Sequence, residues 1–102
     1  MPVTRLNRQE RIERFKNTIK AIHKMCYSNN KKTRLFRCYH LAKAVEGNLS
    51  SHYLATNVIP RLIENDVVSK YRKGCRSWIY RTEWNPSELN EVLDRVAGMV
   101  TR

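Results

Sequence analysis

Apolar residues recur along this chain at two different periods, and the switches between them mark its elements. From Arg8 to Tyr27, the residues Ile12, Phe15, Ile19, Ile22 and Cys26 are spaced by 3, 4, 3 and 4 positions. That spacing lines them up as one stripe of a helix. Asn7 with Glu10 three residues on predicts where it starts, because an Asn side chain accepts an orphan backbone N–H there. A polar break, Ser28-Asn29-Asn30-Lys31-Lys32, follows. The pattern then predicts a second helix resuming near Leu35 or Phe36, with Phe36, Leu41, Ala42 and Val45 as its apolar side. Gly47 suits the left-handed position just past its end.

A third helix is predicted from about Ser51 to Asn65, opened by Ser50 and Ser51 as natural caps. At 100° per residue, Leu54, Ala55, Val58, Ile59, Leu62 and Ile63 share one half of the wheel. Tyr53, Thr56, Asn57, Pro60, Arg61 and Glu64 take the other. Pro60 lies inside this run, where it removes a backbone hydrogen bond and crowds the preceding turn. The expected result is a kink near Thr56–Pro60 or a helix broken into two shorter pieces. Asp66 marks the exit. Val67-Val68 and Trp78-Ile79-Tyr80 are β-prone runs hinged at Lys73-Gly74, where glycine accepts a positive φ. Asn85-Pro86 with Glu88 then opens a last helix carrying Leu89, Val92, Leu93, Val96 and Met99 or Val100 on one stripe.

These elements define a mainly α fold with a small β-hairpin, an α+β class, in one domain of 102 residues. Residues 1–30 form an N-terminal basic helix, 35–82 a helix-turn-helix followed by a hairpin, and 85–101 a C-terminal helix. An additional amphipathic helix on a domain that already has a core is a candidate dimerisation element. Its interface would be Leu89, Val92, Leu93, Val96 and Val100. The alternative is that it folds back and completes the monomer core.

Charge narrows the class of partner. Residues 1–82 hold 18 Lys and Arg against 5 Asp and Glu, whereas residues 83–102 hold 2 against 4. A basic body with a mildly acidic tail implies that the body meets a polyanion. No run approaches 18 apolar residues, and the N-terminal MPVTRLNRQE lacks the apolar core of a secretory signal. The expected location is cytoplasmic, with no membrane contact. Cys26, Cys38 and Cys75 show no paired metal-ligand spacing with one another or with His23, His40 and His52. No metal and no cofactor are expected, and the thiols read as reduced, although an odd count leaves an intersubunit disulfide open. No motif of converging acid, base and nucleophile is present, so an enzyme is not expected.

The segment LAKAVEGNLSSHYLATNVIPRLIENDVVSKYRKGCRSWIYRT resembles the winged helix-turn-helix superfamily of bacterial and archaeal transcription regulators. The likeness lies in the LAKAV-type helix, the short polar turn, the following helix, the ENDVV exit and the basic wing. It covers about 40 of the 102 residues. The resemblance implies base contacts from Ser51, Tyr53, Thr56 and Asn57, and wing contacts from Arg72, Lys73 and Arg76. From side-chain chemistry alone, Asn57 suits adenine, Arg61 guanine or phosphate, and Tyr53 and Thr56 a thymine methyl. Ser50 and Ser51 suit phosphate at a helix start, as do Lys31, Lys32, Arg34 and Arg37 before the second helix and Lys70 on the hairpin. The expected function is sequence-specific binding of double-stranded DNA by a homodimeric transcription regulator. Nonspecific DNA or structured RNA is the second candidate partner.

Overall fold

The computed structural model describes residues 8–27, 34–45, 49–74 and 77–100, Val100 by its backbone alone. In chain order it comprises α1 (Arg8–Tyr27), β1 (Leu35–Phe36), α2 (Cys38–Ala44), α3 (Ser51–Tyr53), a π-helical turn (Leu54–Val58), α4 (Ile59–Glu64), β2 (Val68–Lys73), β3 (Trp78–Thr82), a 3-10 turn (Pro86–Glu88) and α5 (Leu89–Val100). The protein is thus mainly helical with a small three-stranded antiparallel sheet in the order β1-β3-β2.

Helix α1 forms where the stripe predicts it and buries Phe15, Ile19, Ile22 and Cys26. Thr18 is also buried, and its hydroxyl donates to the Arg14 carbonyl at 2.7 Å, so no polar atom is stranded there. The second helix departs from expectation. Leu35 and Phe36 are strand, paired with Arg81 and Tyr80 of β3, and the helix begins only at Cys38. An open edge on β3 supplies the reason: the Thr82 N–H donates to the Arg34 carbonyl at 2.8 Å, and Phe36 is buried with its ring 5.7 Å from Tyr80. Asn7 and Gly47 lie outside the described residues.

Helical backbone runs from Ser51 to Glu64 without a break, so the proline is absorbed rather than ending the helix. Ser50 caps it, its Oγ accepting the Tyr53 N–H at 3.0 Å. Ahead of Pro60 the ladder lengthens by one residue, with the Ile59 N–H donating to the Leu54 carbonyl. This wide turn changes the hydrogen-bond register just before the residue that has no N–H to give. It also changes the wheel: Leu54, Val58, Ile59 and Leu62 are buried as expected, but Ala55 is exposed.

The rod ends in a Schellman motif. The Val67 N–H donates to the Leu62 carbonyl at 2.9 Å and the Asp66 N–H to the Ile63 carbonyl at 3.1 Å. Asp66 occupies the left-handed position with φ 59°. Val67 and Leu62, both buried, form the apolar contact that accompanies the motif.

Helix α5 packs as the alternative reading expected, folded back onto the core of its own chain. Val92 and Val96 are 2% and 0% exposed, Met99 is buried, and Leu89 and Leu93 pack partly buried against the same core. The stripe lies against α1 and completes the core of this chain. Fully burying a valine removes roughly 1.5 kcal/mol or more of exposure cost, which is what Val92 and Val96 gain against α1. The helix opens as expected on the Asn85/Glu88 capping box, with the Asn85 N–H donating to Glu88 Oε1 at 3.1 Å. At the same end of the core, Trp84 meets His23 stacked at 5.7 Å and Tyr27 edge-on at 5.6 Å. The Tyr27 hydroxyl donates to the Trp84 carbonyl at 2.8 Å and meets the Thr82 hydroxyl at 2.7 Å. This cluster ties α1 to the segment leaving β3.

Candidate nucleic-acid interface

The hairpin carries the first part of the site, and its register is irregular. Lys70 pairs with Tyr80, but the next pair is Arg72 with Ile79, so Tyr71 is an extra residue bulged out of β2. Side chains alternate along β3, and cross-strand partners share a face. Arg72 therefore shares the face of Ile79, whereas Lys70 and Lys73, paired with Tyr80 and Trp78, start from the other face, Lys73 at the hairpin end beside Gly74 where the two faces meet. No carboxylate occurs in β2 or β3, while Lys70, Arg72, Lys73 and Arg81 are all exposed.

On the Ile79 face the hairpin meets Arg37. Arg37, Arg72, Lys73, Gly74 and Ile79 line one open cleft, with no acidic residue among them. The N–H of Gly74 donates to the Ser77 carbonyl at 2.8 Å, which closes the hairpin end. Close approach, rather than a positive φ, favours glycine at this position. A Cβ there would sit 3.0 Å from the Ser77 oxygen and 3.4 Å from the Arg37 guanidinium. Arg37 precedes α2 in an extended conformation (φ −120°, ψ 149°), which directs the chain out of β1 and into the helix.

The helical part of the site is more selective than expected. Thr56 and Asn57 are exposed on the π turn, and Asn57 Nδ2 makes only a long 3.4 Å contact to the Tyr53 carbonyl of its own helix. Tyr53 is not fully outward: it is half-buried against the core, with the Arg14 guanidinium 5.0 Å above its ring. Arg61 and Ser51 are half-buried. Ser50 is exposed but committed to capping.

Arg34 is the clearest departure among the expected phosphate contacts. Its guanidinium donates to Asn85 Oδ1 at 2.5 Å and to the Trp84 carbonyl at 3.5 Å, so it fastens β1 to the start of the last helix. Lys31, Lys32 and Arg76 lie outside the described residues, as does Cys75. Cys26 and Cys38 are free, buried thiols. Burial pushes Cys26 up from 9.0 to about 11. Cys38 is also raised by burial, against a smaller opposing effect of its hydrogen bond with Tyr80.

Three features escaped the sequence pattern. Trp78 and Tyr71 are exposed on the hairpin, and Lys70 Nζ lies 4.8 Å over the Trp78 ring. Tyr39, 58% exposed at the start of α2, carries Lys43 Nζ at 4.3 Å. A lysine nearby in sequence was the available signal for each of these pairs, but only the bulge sets the faces of the hairpin. Among the described residues no group of three or more His, Cys, Asp or Glu is placed to hold a metal ion. Nor is any helix among them long and apolar enough to cross a membrane. No family model, curated protein or solved structure significantly matches this chain.

Proposed function

We propose that this chain binds double-stranded DNA as a winged helix-turn-helix domain and acts in transcription regulation. Thr56 and Asn57 would present to base edges in the major groove, and the cleft of Arg37, Arg72 and Lys73 would hold backbone phosphates. The order helix, strand, helix, helix, then two strands around a β1-β3-β2 sheet supports the winged-helix assignment. The single observation that carries the function is the convergence of Arg37, from a different element, with the wing cations Arg72 and Lys73 in a cleft without a carboxylate. Unopposed cations at that density are what a polyphosphate backbone neutralises. Binding as a homodimer remains part of the proposal, with half-buried Leu89 and Leu93 the described residues of α5 still open to a partner.

The test is affinity selection from a random duplex pool at near-physiological salt, repeated with Thr56→Ala and Asn57→Ala. The expected result is an enriched motif whose preference, more than its overall affinity, changes in the two variants. Tight binding with no enriched motif would move the protein to nonspecific DNA or structured-RNA binding.

A further inference from the structure

The face of β3 opposite the cationic cleft carries a second, chemically different groove. Its volume is about 420 Å³, and it lies between the hairpin and the helix. Exposed Lys70 and Trp78 form one rim and exposed Ala55 and Pro60 the other. Buried Ile59 and Tyr80, with half-buried Ile63, make the floor. The π turn shapes this rim, since it brings Ala55 out of the core and onto the surface.

We infer that this groove is a stacking site for a single unpaired nucleobase, with Trp78 as the platform and Lys70 as the partner of its phosphate. The inference rests on the nucleic-acid-binding reading above and names a further ligand feature for it. Trp78 is 36% exposed, in contrast to the 2% of Trp84, so one indole belongs to the core and the other faces solvent. An exposed indole over an apolar floor suits a flat ring, and no acidic residue lines the groove to repel an anion. A partner joining a flat aromatic group to a negative charge matches both halves of the site, and a nucleotide is that partner. Lys70 now covers the indole with its Nζ at 4.8 Å. An exposed cation–π contact is weaker than the stacking of a base on an indole, so a base can displace the ammonium. The freed Lys70 then meets the phosphate of the same nucleotide.

The experiment compares the wild-type protein on a perfect duplex and on the same duplex carrying one unpaired thymine. Binding is followed by fluorescence anisotropy, with tryptophan emission recorded in parallel. The unpaired base is expected to tighten binding roughly 5- to 150-fold, the range of one stacked base, and to quench emission. Trp78→Leu is expected to abolish both effects, the preference being read as the ratio of the two affinities within each protein. Equal wild-type affinity for the two DNAs without quenching overturns this inference and leaves the duplex-binding reading standing. A preference that survives in Trp78→Leu also overturns it. Failure to bind either DNA overturns both readings.

Discussion

Neutralising Arg37, Arg72 and Lys73 together isolates the electrostatic part of binding. All three are exposed and line one cleft, so replacing them with Ala removes charge without opening the core. Each phosphate neutralised on B-DNA adds about 0.9 to the slope of log affinity against log salt, so losing three contacts makes the slope shallower by about 2.7. Between about 50 and 200 mM salt, that difference reduces the affinity ratio of wild type to variant roughly 40-fold. The assay is an anisotropy titration of a short duplex at several salt concentrations, with a thermal melt to confirm that the variant is folded. Arg34→Ala is the internal control. Its guanidinium is engaged with Trp84 and Asn85, so it should lower stability and leave the slope unchanged. A slope change below about 1 in the triple variant would mean that phosphates are not held in this cleft.

Other consequences concern the scaffold that presents the site. Tyr27→Phe strips a hydroxyl from the buried Thr82 hydroxyl and the Trp84 carbonyl, and should cost about 1–3 kcal/mol in urea unfolding. A cost under about 0.5 kcal/mol would show that the tie between α1 and β3 is unimportant. Asp66→Gly, at φ 59°, should raise stability by up to ~1 kcal/mol because glycine carries no steric penalty there, and a lower melting temperature would contradict this. Val96→Ala should cost about 2 kcal/mol at every protein concentration, because Val96 is fully buried within one chain. A cost that grows as the protein is diluted would instead tie Val96 to contacts between chains. The Cys26 thiol favours its neutral form in the fold, so its contribution is complete below pH 9 and is lost as pH rises towards about 11. Stability should therefore fall less steeply over that interval in Cys26→Ala than in wild type, and parallel curves would argue against it.

Much of this architecture is legible in local pattern. The 3-4 spacing of α1 depends only on helical geometry, and four of the five stripe residues are buried, with Ile12 half-buried beside them. Ser50 and the Asn85/Glu88 pair cap helices because capping is a contact between near neighbours in sequence. The site itself was less legible. Arg34 and Arg37 look alike in sequence, three residues apart among other cations. One is drawn inward to a carbonyl and an Asn fifty or so positions away, and the other remains free to join the wing.

By itself, the sequence determined α1, the helical run from Ser51, the last helix, the caps at Ser50 and Asn85/Glu88, the hairpin arms and the concentration of positive charge in the first 82 residues. Each of these follows from propensity, periodicity or composition over a few turns of chain. The tertiary structure alone decided that Leu35 and Phe36 form a strand, since only β3 supplies their partners. It also decided that Pro60 sits after a π turn and that Tyr71 bulges. Together these choices move Ala55 and Arg72 to their observed faces. Finally, it decided that Val92, Val96 and Met99 of α5 are buried against α1 of the same chain, because an amphipathic helix records that it must be covered but not by what. Pairing, register and the identity of a helix's partner are long-range properties, settled by competition among surfaces that no local window contains.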